Sequence, residues 1–187
     1  MTLKEQIEKY NPFDEQEKND KEYFLEFINT FDDTLTRNNM FGHFSASAFV
    51  VNKNQNKMVV VYHIINDGWI YPGGHADGES DLLSVAIREV EEETGLKTKV
   101  LDDTIYAINS NPVQSHIKNG KFVPAHIHYD VIYLLEADDN IPLVYRENES
   151  KGVKWIPLEE TTNENIVPFI KPIQKKLIKK LQTRKGD

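Results

Sequence analysis

Four of the five residues 89–93, with the sequence EVEEE, are glutamates. On a helix that turns by about 100° per residue, Glu89, Glu92 and Glu93 fall within roughly 100° of one another. Like charges on one helical face destabilise the helix unless a counter-charge binds them. Oxygen-only ligands suit hard divalent cations such as Mg²⁺ or Mn²⁺. The pattern therefore indicates a metal site, with an exposed acidic helix as the alternative.

The neighbouring residues predict the helix that carries these glutamates. Ser80 or Asp81 offers an N-cap, and Gly95 supplies a left-handed residue at the carboxyl end, so the helix is expected to cover residues 81–94. Its buried stripe is expected to contain Leu83, Ala86, Ile87 and Val90. A glycine loop, YPGGHADG, precedes this helix. Arg88 can hold a neighbouring carboxylate through a bidentate hydrogen bond.

These residues resemble the Nudix box, G-x5-E-x7-R-E-U-x-E-E-x-G-U, where U is a bulky aliphatic residue. The matching positions are Gly74, Arg88, Glu89, Val90, Glu92, Glu93, Gly95 and Leu96. The first glutamate of the box is replaced by Ser80, and Glu79 or Asp77 can take over its support of the loop and the arginine. The resemblance implies the α/β Nudix fold, a mixed β-sheet sandwiched between helices (α/β/α).

The resemblance also implies an activity. Nudix hydrolases cleave a diphosphate linked to another moiety by attack of water on phosphorus, using Mg²⁺ or Mn²⁺. Position by position, it implies metal ligation by the carbonyl of Gly74 and the carboxylates of Glu89, Glu92 and Glu93. Glu89 is also expected to orient or deprotonate water, and Arg88 is counted with it as a catalytic residue.

Many members use a further acidic residue from a later loop. The segment YRENESKGVKW offers Glu147 and Glu149. Glu149 is the better candidate by its distance before Trp155, so it is predicted to be catalytic. A polar turn before a strand is the alternative interpretation of both glutamates.

Histidines form a second group of candidate site residues. His75 follows the double glycine, while His126, His128 and Asp130 alternate and therefore share one face of a strand. We expect His75, His126 and His128 to contact the phosphate end of the substrate; a second metal site, for zinc or manganese, is the alternative. Isopentenyl-diphosphate isomerase looks similar here, but the chain has no cysteine for the acid-base chemistry of that family.

The elements that position these residues follow from hydrophobic periodicity. The periodicity of residues 1–40 predicts an amphipathic helical extension, with Pro12 and Asp14 near the helix start. Residues 41–187 are expected to form the Nudix domain. The extension's apolar stripe is Tyr23, Phe24, Phe27, Ile28 and Phe31, expected to pack on the domain or on a second subunit of a homodimer. Strands are predicted at FSASAFVVN, KMVVVYHII, TIYAINS, AHIHYDVIYLLEA and GVKWIPL. A closing helix carries Ile173, Leu177, Ile178 and Leu181, with its lysines expected to be solvated.

Composition limits the partners. A formal charge of -8 and a pI near 5.3 argue against binding to nucleic acid, which requires a basic face. The sequence shows neither a signal-peptide pattern nor an apolar run of membrane length, so we expect a cytoplasmic protein without membrane contact. A small-molecule nucleotide diphosphate is the expected partner.

The substrate itself is less well specified. Pro112 lies 16 positions after Leu96, a spacing that resembles ADP-ribose pyrophosphatases of the family and favours ADP-ribose or a nucleotide sugar. Trp69, Tyr71 and Tyr106 are candidates for stacking on a base or sugar, or for the core. The alternative functions are a diphosphate isomerase and a non-catalytic nucleotide sensor on a Nudix fold.

Overall fold

A computed structural model describes residues 1–118, 120–146, 150–159 and 165–184. The helices are α1 (Leu3–Lys9), α2 (Glu15–Thr30), α3 (Leu82–Thr94) and α4 (Lys171–Arg184). The strands are β1 (Gly42–Asn52), β2 (Lys57–His63), β3 (Gly68–Ile70), β4 (Gly73–His75), β5 (Lys99–Val100), β6 (Ala107–Val113), β7 (His116–Lys118), β8 (Lys121–Val123), β9 (His126–Ala137) and β10 (Ser150–Pro157). All five predicted strands and the closing helix are present; the shortest strands were not predicted from the sequence.

The main sheet is mixed and runs in the order β10-β2-β1-β9-β5. Its centre is the parallel pair β1 and β9, in register from Gly42 opposite Ile127 to Asn52 opposite Ala137. Antiparallel partners extend it: β3 pairs with β2, β4 with β1 and β6 with β9. A separate hairpin consists of β7 and β8.

Each face of the sheet carries its own hydrophobic core, because successive strand residues point to opposite faces. On one face, α2 and α3 cover Phe44, Ala46 and Ala48. On the other, α4 covers Phe49, Val51 and their neighbours. The predicted α/β/α sandwich is therefore confirmed. Among the described residues, no helix has the length and apolar character needed to cross a membrane; the cytoplasmic location stays a prediction.

The amino-terminal region forms two helices and shares the core of the sheet. Asp14 caps α2 by accepting a hydrogen bond from the Glu17 amide at 2.9 Å. Phe24 and Phe27 are buried, and the Phe27 ring stacks on Tyr129 with centroids 4.1 Å apart. The predicted packing of this helix on the domain is confirmed, and full burial of a phenylalanine contributes roughly 1.5–3 kcal/mol. Tyr23, by contrast, is 46% exposed at the edge of the stripe.

A buried ion cluster ties α2 to α4. Glu17 is fully buried, and its carboxylate lies 3.1 Å from Lys176 Nζ and 3.3 Å from Lys180 Nζ. It also accepts hydrogen bonds from the Tyr10 hydroxyl at 2.5 Å and the Phe13 amide at 2.8 Å. Burial raises the pKa of Tyr10 and lowers that of Lys180. The prediction that the lysines of α4 are solvated is wrong for Lys176 and Lys180, because Glu17 neutralises them.

Candidate active site

Helix α3 confirms the predicted helix and both of its ends. Asp81 caps it by accepting a hydrogen bond from the Ser84 amide at 3.2 Å, and Gly95 ends it with φ of +70°. The buried residues are Leu82, Val85, Ala86, Val90 and Thr94. Leu83 and Ile87 pack against the core but are only partly buried, so that part of the stripe prediction is confirmed only in part. Apolar residues occupy a wide arc of this helix, and periodicity alone does not determine which edge of the arc faces the sheet.

The double glycine brings backbone and carboxylates together. Strand β4 pairs with β1, which sets Gly74 opposite Ala46. A Cβ atom on Gly74 would lie 2.6 Å from Glu89 Oε2, so this position admits the Glu89 carboxylate only because it carries no side chain. The Gly73 amide donates a hydrogen bond to Glu93 Oε2 at 3.0 Å. Two of the predicted metal ligands of α3 therefore lie against the glycine loop.

Arg88 links two carboxylates instead of holding one in a bidentate pair. Its Nη1 donates to Glu79 Oε2 at 2.5 Å, and its Nη2 lies 3.5 Å from Glu89 Oε1. The hydrogen bond to Glu79 raises the pKa of Arg88. Glu79 therefore makes the contact to the arginine, one position before Ser80. Asp77 pairs elsewhere, with Arg37 at 2.6 Å.

Glu92 has a partner that the sequence did not single out. Its Oε2 lies 3.2 Å from Arg146 Nη1, in the loop before β10. Arg146 immediately precedes the segment that contains the predicted acidic residues Glu147 and Glu149. This position in the sequence was the signal that could have identified Arg146 as a site residue. Glu147 and Glu149 lie outside the described residues, so the prediction for Glu149 stays a prediction.

The carboxylates of α3 contact different partners. Within the described ranges, the one set of three potential ligand side chains whose ligand atoms lie within 4.8 Å of each other consists of His43, His75 and His128. Glu93 is turned to the Gly73 amide and Glu92 to Arg146, arrangements that separate like charges. The predicted ligand atoms are nonetheless all oxygens. They include the backbone carbonyl of Gly74, a residue without a Cβ. It fits a hard divalent cation.

A histidine cluster lies beside this site on β1, β4 and β9. Ring centroids are separated by 4.8 Å for His43 and His128, 4.7 Å for His75 and His128, and 5.1 Å for His43 and His126. Parallel pairing sets His43 directly opposite His128. Burial lowers the pKa of His43 to about 4 and that of His128 to about 2, so both imidazoles are neutral at pH 7. His43 was not predicted from the sequence, although its two-residue spacing from Ser45 in β1 placed it on the polar face.

Asp130 continues the polar face away from the histidines. It is buried, and its carboxylate accepts hydrogen bonds from the hydroxyls of Ser45 at 3.0 Å, Ser47 at 2.8 Å and Tyr71 at 3.3 Å. Burial raises the pKa of Asp130, and the three hydroxyls oppose that shift by stabilising the charged form. Because Ser47 also lies against Gly73, this network fixes the floor under the glycine loop.

The candidate substrate residues fall into two groups. Tyr71 and Tyr106 are buried in the core, which excludes them from stacking on a ligand. Trp69 is partly buried, with Lys154 Nζ 4.3 Å from its ring centroid. Pro112 is exposed on β6 and borders a cavity of about 310 Å³ together with Asn109, Asn111, Asp14, Gln16, Ser110, Phe169, Pro172, Ile173 and Lys176.

Comparison with known proteins agrees with this architecture. A sequence model of the NUDIX domain matches residues 42–180. Nudix hydrolase 6 of Arabidopsis thaliana is 30% identical over 125 residues, which are 63% of this chain and 40% of that protein. RNA pyrophosphohydrolase of Pelagibacter ubique is 33% identical over 121 residues, 61% of this chain and 75% of that protein. The chain therefore spans less than half of the plant relative and three quarters of the bacterial one.

Solved structures show the same fold. The crystal structure of a NUDIX-family hydrolase from Clostridium perfringens superposes with a TM-score of 0.53 at 23% identity, over 74% of this chain and 97% of that chain. The sequence motif, the sandwich and the extent of the family match agree, and they confirm the predicted enzyme family. The chain belongs to the Nudix hydrolase family.

Proposed function

We propose that this Nudix hydrolase cleaves the diphosphate linkage of a nucleoside diphosphate joined to another moiety, with Mg²⁺ or Mn²⁺. ADP-ribose and nucleotide sugars are the first substrates to test. The observation that carries the proposal is the contact between the glycine loop and α3, where Gly74 leaves room for Glu89 and Gly73 binds Glu93. The relatives with stated activities are hydrolases, and none of them favours an isomerase or a sensor.

Four groups would hold the cation: the Gly74 carbonyl and the carboxylates of Glu89, Glu92 and Glu93. A divalent cation there neutralises the diphosphate and lowers the pKa of bound water. Glu92 must leave Arg146 to join this set, and such a half-exposed ion pair is worth about 1 kcal/mol or less. The free energy of cation binding can therefore offset the loss of this ion pair.

The residues of the chain then divide the hydrolysis between them. Glu89 orients a water molecule and accepts its proton as the water oxygen bonds to one phosphorus. The bridging bond between phosphorus and oxygen breaks, and the leaving phosphate takes the electron pair. Arg88 keeps Glu89 in place through the contact at 3.5 Å. The shorter hydrogen bond to Glu79, at 2.5 Å, anchors the Arg88 guanidinium itself. Glu149 remains the proposed additional acidic residue.

The nucleoside is proposed to lie along β6. Asn109 and Asn111 present amide groups beside Pro112 at the cavity, and amides can both donate to and accept from a base or ribose. ADP-ribose and nucleotide sugars are compatible with this placement, because each carries a nucleoside on one side of the diphosphate. The proposed substrate is small, and no nucleic-acid or membrane partner is proposed.

A substrate panel with Mg²⁺ or Mn²⁺ tests the proposal. It includes ADP-ribose, nucleotide sugars, dinucleoside polyphosphates, nucleoside triphosphates and an RNA with a 5′-triphosphate. Products are identified by chromatography, and isotopically labelled water shows which phosphorus is attacked. We expect the highest kcat/KM for a nucleoside diphosphate derivative. Preference for the triphosphorylated RNA would overturn the substrate class while leaving the hydrolase assignment intact.

Glu92→Gln isolates the contribution of the carboxylate set. We expect a loss of turnover by orders of magnitude with the fold retained, because a ligand is removed from the cation. Without metal, thermal stability should hold or rise, since relief of repulsion offsets the lost Arg146 pair. The control is Glu91→Gln, on an exposed position of the same helix. Equal activity of the two variants would exclude the proposed metal site.

A further inference from the structure

His43 is the least satisfied polar side chain of the histidine cluster. It is 3% exposed, and neither Nδ1 nor Nε2 makes a hydrogen bond of good geometry in the described part of the chain, although the Asn39 backbone is close enough to act on the ring. A buried polar group without a good hydrogen bond destabilises the folded state. A cation that accepts the lone pair of one ring nitrogen would remove this destabilisation.

The geometry around His43 matches such a ligand. One ligand nitrogen each from His43, His75 and His128 lies within 4.8 Å of the other two. His126 Nε2 lies 3.2 Å from His128 Nε2. Four nitrogens about 2.05 Å from a tetrahedral Zn²⁺ are separated by about 3.4 Å. One pair is therefore already at ligand spacing, and the trio needs an inward movement of about 1 Å.

We propose that His43, His75 and His128 bind a borderline divalent cation of the zinc type, with His126 as the fourth ligand. Imidazoles select such cations over Mg²⁺, which prefers oxygen. The low pKa values of His43 and His128 support this, because ligation requires a neutral ring. The nitrogen site is thus chemically distinct from the carboxylate site on α3, although His75 follows Gly74 directly.

The sequence favours a substrate-contacting role for His75, His126 and His128, because two histidines on one strand are common without a metal. His43 changes that balance. Pairing of β1 with β9 sets His43 opposite His128, so a third imidazole, itself buried, joins the pair formed by His126 and His128, which share a hydrogen bond of 3.2 Å. A polar cleft wall does not require a buried, unpaired imidazole.

Cation binding by tag-free protein tests the site directly. Protein freed of metal with a chelator is titrated with Zn²⁺ or Co²⁺ in excess Mg²⁺, so that the carboxylate site is occupied. We expect one equivalent to bind, with the visible spectrum of tetrahedral Co²⁺. His43→Ala and His128→Ala should each weaken binding by at least about tenfold. His116→Ala, in the separate β7–β8 hairpin, is the matched control and should bind as the wild type does.

A wild-type measurement keeps the proposal testable even where a variant folds poorly. Ring NMR signals of the six histidines are followed during the Zn²⁺ titration. We expect His43, His75, His126 and His128 to shift together at one equivalent, while His63 and His116 do not. Absence of an equivalent in excess Mg²⁺, or binding by His43→Ala equal to wild type, would overturn the proposal and leave the cluster as a wall of the substrate cleft.

Discussion

Replacing Glu17 by glutamine should destabilise the whole protein, although the residue is not part of the box. The variant keeps the size of the side chain and removes its charge, so Lys176 and Lys180 stay buried without an anion. Breaking a buried ion pair by neutralising one partner costs about 3–5 kcal/mol. For a chain of this size, each kcal/mol lowers Tm by roughly 2–4 °C, so the expected decrease is roughly 6–20 °C.

Urea denaturation followed by circular dichroism measures this effect. The matched control is Glu15→Gln, an exposed residue two positions earlier on α2, which should change the free energy of unfolding by about 0.5 kcal/mol or less. A triple variant, Glu17→Leu with Lys176→Met and Lys180→Met, should recover most of the loss, because no unpaired charge remains buried. A decrease below about 1 kcal/mol in Glu17→Gln would refute the reasoning.

Three further predictions concern the extension, the glycine loop and acid stability. Deleting residues 1–38 should expose the core face beneath α2 and cause aggregation or loss of activity; a truncated chain that is soluble, monomeric and equally active contradicts this. Gly74→Ala should lower kcat by about 100-fold, because its Cβ displaces Glu89, whereas Gly152→Ala, whose Cβ meets nothing closer than 3.6 Å, should retain activity. In chelator, titration of His43 leaves the free energy of unfolding unchanged above pH 6.5, the pKa of an unfolded histidine, and lowers it by about 3 kcal/mol as pH falls to 4, because burial lowers the folded-state pKa of His43 to about 4. His43→Gln should show a flatter decline of unfolding free energy with acid, and parallel curves contradict the assignment.

The local parts of the molecule were predictable from the sequence. The box residues are contiguous, so their spacing places Glu89 and Glu93 on one helical face, and the caps of α3 are encoded by Asp81 and Gly95. Strands with alternating or continuous apolar residues were equally predictable from the sequence. These signals depend on residues within about two turns or one strand of each other.

The contacts between distant segments were not predictable in the same way. His43 joins the cluster only because β1 runs parallel to β9, and the lysines of α4 are buried only because Glu17 faces them from α2. Neither pairing leaves a periodic signal in the sequence. Leu83 and Ile87 show the limit within a single helix, since the rotation of an amphipathic helix is set by the surface on which it packs.

The parallel pairing of β1 with β9 also affects the order of folding. Ser45 and Asp130, which face each other across this pair, are 85 residues apart in the chain. Strands β1, β2 and β4 and helix α3 are neighbours in sequence, so their contacts close short loops and form early, whereas the β1 and β9 contacts close a long one and form late. We therefore expect a folding chain to assemble the glycine loop and its carboxylates first. The histidine cluster should mature only when β9 docks, so the oxygen-rich and nitrogen-rich sites acquire their ligands at different times.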